Sequence, residues 1–296
     1  MTLPAMPNSL WLSNGRNLLR RDGQCSVMGI VNVTPDSFSD GGKSEHSEFA
    51  IQNAIQALTD GADIIDIGGE STRPGATPVE MHEEWRRIEP VILGLLRNDP
   101  NAVVSVDTYK PEIARRAIAA GALIVNDITG LDPAGEMLHA VAGSDVGIVL
   151  MHMQGTPATM QKKPVYEDVV AEIIAFFEAR IESAVKAGIR RERIAIDPGI
   201  GFGKSLEHNL TILRNLPKLA KLGCVVLIGT SRKRMIGEIT GRPVIERMAG
   251  SVASALHAAA HGAEVVRVHD VAATIDAIRV WSVLETKSDH VEHNHR

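Results

Sequence analysis

Short apolar runs alternate with longer amphipathic segments along nearly the whole chain. Each run is rich in Val and Ile and is short enough for a β-strand that is buried on both faces. Eight such runs can be counted, at residues 26–31, 63–67, 102–106, 123–125, 147–151, 193–196, 225–228 and 264–268. This alternation predicts eight strands, each followed by a segment that covers it.

The segments between the runs carry apolar residues at i, i+3 and i+4, the spacing that gathers them on one face of an α-helix. They span residues 49–59, 79–96, 111–119, 134–141, 166–187, 206–222, 244–261 and 271–284. Strand then helix, repeated eight times, predicts an all-parallel sheet of the α/β class. Eight units favour closure into a single (β/α)8 barrel, a TIM barrel.

An open, doubly wound sheet is the alternative to the barrel. That fold usually carries a Gly-rich turn after its first strand, whereas here the first run leads into Asn-Val-Thr-Pro at 32–35. We therefore expect one barrel over residues 25–284. Residues 1–24 are expected to form an N-terminal extension or small hairpin over the barrel bottom, and residues 285–296 a disordered-like tail.

Composition excludes several classes of function. Hydrophobic residues make up 44% of the 296 residues and aromatic residues only 3%, so the core is aliphatic and no base-stacking platform is present. The net charge of −5 comes without a basic stripe, which argues against nucleic-acid binding. Neither a membrane span nor a signal peptide is expected. Cys25 and Cys224 are expected to be reduced core thiols of a cytosolic protein, although a disulfide stays open.

Polar residues follow all eight runs, at the strand ends where TIM barrels place their chemistry. They include Asn32, Glu70, Asp107, Asn126, Asp127, His152, Asp197, Ser231, Lys233, Arg267, His269 and Asp270. Every strand has to end in something polar. Chance alone does not explain their distribution. Carboxylates follow the third, fourth and sixth runs, and cations follow the second, seventh and eighth.

The carboxylates and the cations suggest two subsites. The acceptor-rich set consists of Asp107, Asn126 and Asp197. It suits the edge of a flat heterocycle that carries several N–H donors. The cationic set consists of Arg73, Lys233, Arg267 and His269. It suits a phosphate or pyrophosphate, which this fold often binds near its seventh and eighth strands.

Three loops add to this picture. Residues 32–42 and 70–75 are long and rich in Gly, Ser and Pro, and they could close over a substrate or be exposed connections. The segment 199–205 resembles a phosphate-binding loop, but Pro198 stands where a Walker A motif requires glycine. We expect this segment to shape the wall beside Asp197, with the Phe202 ring available to stack on a flat ligand.

Several segments form longer motifs. They are NVTPDSFSDGG at 32–42, GGESTRPG at 68–75, SVDT at 105–108, NDI at 126–128, LMHMQG at 150–155, DPGIGFGK at 197–204, SRK at 231–233 and RVHD at 267–270. From about residue 25 to residue 283, and in this order, they closely resemble the motifs of bacterial dihydropteroate synthases. The first two motifs are long and specific. Tyr109 and Ile200 depart from the family's usual residues without touching a charged group of the site.

The resemblance implies a transferase of folate biosynthesis. It would join p-aminobenzoate to the pterin of 6-hydroxymethyl-7,8-dihydropterin pyrophosphate and release pyrophosphate. The implied pterin pocket consists of Asp107, Asn126, Met151, Asp197, Phe202 and Lys233. The implied p-aminobenzoate site consists of Phe38, Thr72, Arg73, Pro74 and Ser231. The implied pyrophosphate site consists of Asn32, Arg73, Arg267 and His269, with Asn32 also binding Mg²⁺. The residues expected to act in catalysis are Asp107, Lys233, Arg267, His269 and Arg73.

The reaction needs stabilisation of a departing pyrophosphate and of a cationic pterin methylene, while the arylamine nucleophile is already neutral. We therefore expect a dissociative, SN1-like substitution without a covalent enzyme intermediate. The resemblance further implies a cytoplasmic homodimer and a target of sulfonamides.

Two rival functions stay open. A pterin-binding barrel that serves methyl transfer to a corrinoid protein shares the acceptor-rich pocket, but it is not expected to need the loop 32–42 or the cations at 231–233 and 267–269. A catalytically inactive paralogue is disfavoured by the intact cationic set. His152 is expected to be a hydrogen-bonded strand-end histidine rather than a catalytic group.

Overall fold

The fold is a closed barrel of eight parallel strands surrounded by helices. The computed structural model describes residues 10–20, 22, 24–34, 43–71, 76–132, 135–156, 159–160 and 164–285. A two-stranded hairpin of β1 (Leu12–Ser13) and β2 (Arg16–Asn17) precedes the barrel. The barrel strands are β3 (Ser26–Asn32), β4 (Ile64–Gly68), β5 (Val104–Asp107), β6 (Ile124–Asp127), β7 (Gly147–Met151), β8 (Ile194–Asp197), β9 (Val225–Ile228) and β10 (Val265–Val268). Each strand pairs in parallel with the next, and β10 closes onto β3, so the predicted TIM barrel is confirmed and the open sheet is excluded.

Helices cover the outside of the barrel. They are α1 (Lys43–Thr59), α2 (Met81–Asn98), α3 (Pro111–Ala119), α4 (Met137–Ala142), α5 (Val169–Lys186), α6 (Leu206–Arg214), α7 (Leu216–Ala220), α8 (Arg234–Thr240), α9 (Met248–Ala260) and α10 (Val271–Glu285). None of the helices that the structure describes is long and apolar enough to cross a membrane.

Two helical predictions need correction. The segment 206–222 is not one helix but two, because Pro217 has no N–H with which to continue α6 and instead lies in the first turn of α7. The segment 244–261 begins as a single 3-10 turn, Val244–Glu246, before α9. The short helix α8 was not predicted. It has seven residues, fewer than a periodic pattern needs, and it ends at Gly241 with a φ of 71°.

The interior of the barrel is layered. Its lower part is filled by apolar side chains from seven of the barrel strands and from the residue just before β5. They are Met28, Ile64, Val103, Ile124, Val149, Ala195, Val225, Leu227 and Val265. The hairpin closes this end, because Trp11 is fully buried in the same cluster and its Nε1 donates to the Arg193 carbonyl at 3.1 Å. The barrel is therefore a packed core below and leaves its polar groups to the other end.

Above the apolar layer the inward-facing positions become polar. Successive side chains of a strand alternate between its two faces, so Asp66 faces the same way as Ile64. Asp66 lies on β4 and bonds to Asn126 on β6 and to Arg267 on β10, each two strands away around the barrel. Such bonds can only cross the barrel interior. The polar site therefore begins inside the barrel rather than on its rim.

Candidate active site

One row of residues marks the carboxyl ends of four neighbouring strands. Asn32 is the register partner of Gly68, Gly68 of Asp107, and Asp107 of Asn126. A Cβ at Gly68 would lie 3.8 Å from both Asn32 Oδ1 and Asp107 Oδ2. The glycine thus leaves room between an amide oxygen and a carboxylate oxygen, where a ligand can approach both.

Arg267 bridges two carboxylates beneath this row. Its Nε donates to Asp66 Oδ2 at 2.6 Å and its Nη2 to Asp107 Oδ2 at 2.7 Å. Asn126 Nδ2 donates to the same oxygen of Asp66 at 3.1 Å. We call Asp66, Asp107, Asn126 and Arg267 the inner network. The cation expected at the pyrophosphate thus contacts the acceptor-rich set directly, and the two subsites meet at Arg267.

The inner network is electrostatically unbalanced. Burial first, and then the nearby Asp66, raise the pKa of Asp107 to about 7 against the opposing attraction of Arg267. Burial alone lowers the pKa of Arg267, but Asp66 and Asp107 raise it overall, so the guanidinium stays charged. Strongly perturbed groups in a barrel mouth are typical of functional sites.

The loop that follows β8 builds a second part of the site. The Gly199 N–H donates to Asp197 Oδ1 at 2.7 Å, and the Ile200 carbonyl accepts a hydrogen bond from Lys233 Nζ. The same ammonium lies 4.8 Å from the centroid of the Phe202 ring. This loop therefore holds a carboxylate, a cation and an aromatic face together, as expected for the wall beside Asp197.

Only glycine fits at two positions of this loop. Gly199 and Gly203 have φ values of 67° and 63°. A Cβ at Gly199 would lie 2.0 Å from the His152 carbonyl oxygen, and one at Gly203 would lie 2.4 Å from the Gln154 carbonyl oxygen. These glycines resemble those of a phosphate-binding loop, but here they allow the loop after β8 to pack closely against the loop after β7.

Burial also perturbs the ionisable groups of this second part. It lowers the pKa of Lys233 to about 8, although Asp197 opposes that shift. It raises the pKa of Asp197, although Lys233 opposes that shift. Each group is therefore only partly compensated by the other. A ligand that offers both a donor and an acceptor here would complete the pairing.

Lys204 and His152 tie the β7 and β8 loops together. Lys204 Nζ lies 3.0 Å from His152 Nδ1 and donates to the Phe202 carbonyl at 2.9 Å. Burial lowers the pKa of His152 to about 3, so the imidazole is neutral and can accept from the ammonium. The expectation that His152 is a hydrogen-bonded strand-end histidine agrees with this geometry.

The loops after β9 and β10 meet at a third cluster. Ser231 Oγ accepts from the backbone N–H of His269 at 3.1 Å and lies 3.0 Å from His269 Nδ1. Arg232, whose φ is 57°, pairs with Asp270 at 2.5 Å. These bonds fix Ser231 and His269 beside each other at the mouth of the barrel.

Proteins of known family share the sequence pattern and the fold of this chain. A family model described as pterin binding enzyme matches residues 28–269. The dihydropteroate synthase of Neisseria meningitidis serogroup C is 49% identical over 262 residues, which cover 87% of this chain and 92% of that relative. This chain belongs to the dihydropteroate synthase family. The resemblance of the motifs and the expectation of a transferase of folate biosynthesis are thereby confirmed.

Other members of the family agree in sequence and in structure. The dihydropteroate synthase of Escherichia coli strain K12 is 46% identical over 254 residues, covering 86% of this chain and 89% of that relative. A dihydropteroate synthase of Xanthomonas albilineans, solved with 4-aminobenzoic acid, superimposes with a TM-score of 0.84 at 51% identity, covering 90% of this chain and 94% of that one. The same organism's enzyme with 7,8-dihydropteroate gives a TM-score of 0.81 at 48% identity, with 90% and 95% covered.

Most of the residues predicted for the site are brought together in this family member. The inner network contains three of them, and the β8 loop gathers Asp197, Phe202 and Lys233. Met151 is the register partner of Asp197 and is buried beside it. Asn32 ends β3, and Ser231 contacts His269. Phe38, Thr72, Arg73 and Pro74 lie outside the described residues.

Sequence reasoning assigned no role to Asp66, Ser105 or Lys204. Asp66 and Ser105 are fully buried register partners on β4 and β5. Within the described part of the chain, neither Asp66 Oδ1 nor Ser105 Oγ has a hydrogen-bond partner. Asp66 could have been found from the sequence, because it is an acidic residue in the middle of a strand whose other residues predict burial on both faces. Unpaired buried polar atoms below the pocket indicate polar surroundings that continue into the barrel.

Proposed function

We propose that this family member condenses p-aminobenzoate with 6-hydroxymethyl-7,8-dihydropterin pyrophosphate, with the pterin ring held inside the barrel mouth. The observation that carries the proposal is the convergence of acceptors from three strands, Asp107, Asn126 and Asp197, above a closed apolar layer. A pterin presents a flat edge with several N–H donors, which matches those acceptors. The remaining faces of the ring would contact Met151, Phe202 and Lys233.

The pyrophosphate would lie toward the cationic side of the same mouth. Its proposed partners are Asn32, Arg73, Arg267 and His269. Arg267 is fixed by two carboxylates, so its charge is already oriented before a ligand arrives. Preorganised charge of this kind stabilises a departing anion without reorganisation during the reaction.

Mg²⁺ is the proposed cofactor, with Asn32 as its protein ligand. Among the described residues there is no group of three His, Cys, Asp or Glu side chains that could hold a metal by itself. An amide oxygen at the pocket mouth suits Mg²⁺, which prefers oxygen ligands and usually keeps water and substrate phosphates around it. When bound, the ion would neutralise charge on the pyrophosphate.

The proposed mechanism is a dissociative, SN1-like substitution. Asp107 and Asp197 would favour positive charge on the pterin as the C–O bond to pyrophosphate breaks, and Arg267 and His269 would stabilise the departing anion. The neutral amine of p-aminobenzoate then attacks the methylene carbon and loses a proton. No protein nucleophile takes part, and a pterin trapped on a side chain would contradict this mechanism.

The second substrate is proposed to bind at Ser231 together with Phe38, Thr72, Arg73 and Pro74. Ser231 is buried and held beside His269, next to the proposed pyrophosphate position. A dihydropteroate synthase of Yersinia pestis, 42% identical with a TM-score of 0.87, has been solved as a sulfonamide drug complex. We extend this to the present chain as a proposed sulfonamide target.

A homodimer in the cytoplasm is also proposed. Apolar side chains are strongly exposed around α8, α9 and α10, with Ile245 at 80% and Leu284 at 77% exposure. Exposed apolar side chains gathered on neighbouring elements favour a protein partner, and a second copy is the simplest one. Both cysteines are free and buried, which suits a reducing compartment.

Pyrophosphate release tests the function directly. The protein is incubated with the pterin pyrophosphate and Mg²⁺, with and without p-aminobenzoate. We expect release that depends on p-aminobenzoate, with dihydropteroate formed in equal amount. Pterin binding without release would favour a methyl-transfer barrel or an inactive paralogue, and those two are separated by adding a methylated folate with a corrinoid acceptor.

A further inference from the structure

Asp66 is the centre of the inner network, although the only role given to it above is to help hold Arg267. Its side chain is completely buried inside the barrel. Arg267 Nε and Asn126 Nδ2 both donate to its Oδ2, at 2.6 Å and 3.1 Å. One oxygen of one carboxylate therefore holds the two side chains that face the proposed ligand from opposite sides of the barrel.

The hydrogen bonding of the Asp66 carboxylate is not what a purely stabilising role would require. Asp66 Oδ1 is buried and accepts no hydrogen bond from the described residues. A carboxylate taken out of water is compensated only when both of its oxygens are well paired, and a half-paired one adds little stability. A buried carboxylate of the same chain shows the contrast, since Asp127 uses both oxygens on Thr129 and Leu131.

The contact with Asp66 decides which end of the Asn126 amide the pocket meets. A side-chain amide can present either its NH₂ donor or its carbonyl acceptor. Next to the Arg267 guanidinium, Asp66 offers oxygen acceptors only. The NH₂ end of Asn126 must therefore face Asp66, and its carbonyl oxygen, which has no partner among the described residues, is left for the ligand.

We propose that Asp66 is a positioning residue that fixes the Asn126 amide with its acceptor toward the pocket and so selects a heterocycle with a donor at that edge. This inference rests on the proposed pterin pocket and deepens it. It predicts preference for a 2-amino ring, which offers an exocyclic NH₂ donor, over the corresponding 2-oxo ring, which carries a carbonyl acceptor at that position. Without an acceptor at position 66, the Asn126 amide can rotate and accommodate either ring.

Binding of two fluorescent analogues tests this selection without turnover. The dissociation constants of 6-hydroxymethylpterin and 6-hydroxymethyllumazine, its 2-oxo counterpart, are measured for the wild type, Asp66→Ala, Asp66→Glu and Asp127→Ala. The wild type should prefer the pterin at least tenfold, the effect of about one hydrogen bond to a buried group. Asp66→Ala leaves no acceptor beside the Asn126 amide and should reduce that preference to about threefold or less. Asp66→Glu keeps an acceptor-only group and should retain the preference even if both affinities fall.

The control separates selection from folding. Asp127→Ala also removes a buried charge, but it should leave the pterin-to-lumazine ratio unchanged. An unchanged ratio in Asp66→Ala, or an equal drop in Asp127→Ala, would overturn the inference while leaving the pterin pocket in place. Wild-type protein that binds neither analogue would overturn the pocket itself. If Asp66→Ala does not fold, Asp66→Ser, whose hydroxyl can donate or accept, is measured against Asp66→Glu with the same expected loss of preference.

Discussion

Two clusters in this molecule share one arrangement of charges but differ in how fully their polar atoms are hydrogen-bonded. In the inner network, Arg267 lies between Asp66 and Asp107 inside the barrel. In what we call the outer cluster, Lys110 lies between Glu70 and Glu84, where the β5–α3 connection meets the loop after β4 and helix α2. Each cluster therefore places one cation between two carboxylates, but their polar atoms are paired to very different degrees.

The outer cluster is saturated. Glu70 accepts from Tyr109 Oη at 2.9 Å and from the Val79 N–H at 3.0 Å, in addition to Lys110. Glu84 accepts from Thr108 Oγ1 at 2.8 Å as well as from Lys110. Burial by itself raises the pKa of Glu70, but its bonds, led by that from Lys110, lower it overall. Every carboxylate oxygen here has a partner.

The inner network is left incomplete. Asp66 Oδ1 has no partner among the described residues, and burial raises the pKa of Asp107 to about 7. The difference between the two clusters distinguishes a structural ion pair from a binding site. A saturated cluster holds loops in place, whereas an unsaturated one inside a barrel mouth is ready for the donors of a ligand.

Removal of the inner cation should have the largest effect. Arg267→Ala takes away the oriented charge for pyrophosphate and leaves Asp66 and Asp107 without their guanidinium. We expect the rate of dihydropteroate formation to fall about 10²–10³-fold, as for loss of other preorganised anion-stabilising donors. Arg116→Ala, which breaks an exposed ion pair with Glu112, is the control and should stay at the wild-type rate. A rate within threefold of wild type for Arg267→Ala would count against its role.

Removal of the outer cation should change stability instead of binding. Lys110→Met leaves the buried Glu84 and the partly buried Glu70 without their cation, and loss of one partner of a buried pair lowers the free energy of unfolding by about 3 kcal/mol. Lys186→Met breaks the exposed pair with Glu182 and should lower it by less than about 1 kcal/mol. Denaturant unfolding gives both values. Pterin affinity that drops together with stability would remove the distinction between the clusters.

A third buried pair consists of Lys204 and His152. We expect it to have a smaller effect on stability, and one that depends on pH. The pKa of His152 is lowered to about 3 by burial, from an ordinary value of 6.5, so the folded protein binds fewer protons than the unfolded chain between those values. Stability is therefore lost as pH falls below about 6.5, and His152 should account for about 2 kcal/mol of loss at pH 5.

Unfolding of His152→Gln at pH 7 and pH 5 checks this value. The glutamine side chain in that variant cannot titrate, so the loss between the two pH values should be smaller than in the wild type by that amount. His261→Gln, which makes the same change at an exposed histidine, is the control. Equal losses in all three proteins would show that His152 is not held neutral in the fold.

The sequence predicted the barrel well because its signal is repeated. Each apolar run followed by an amphipathic segment specifies one unit, and eight units admit few arrangements. The polar residues at the strand ends were found for the same reason, since the fold fixes where its chemistry lies. The substrates, by contrast, followed only from the long motifs at 32–42 and 68–75, because spacing alone does not name a pterin.

The partners of Asp66 were beyond sequence reasoning for a physical reason. Its two donors are 60 and 201 residues away along the chain, and only closure of the barrel brings them to one oxygen. Glu84 was hidden in another way, because a carboxylate on α2 reads as solvent-exposed until Thr108 and Lys110 are packed over it. Buried charge is visible in a sequence only when its partners are adjacent.

The comparison between the clusters is tested most directly by measuring pterin binding to two variants, each with one carboxylate of one cluster replaced. Asp107→Asn and Glu84→Gln are equally conservative changes, one in the inner network and one in the outer cluster. We predict that Asp107→Asn weakens binding of 6-hydroxymethylpterin at least tenfold, the effect of about one hydrogen bond to a buried charged group, while Glu84→Gln changes it less than about twofold but lowers the free energy of unfolding. Equal loss of affinity in both variants, or none in Asp107→Asn, would contradict the assignment of the inner network to the ligand.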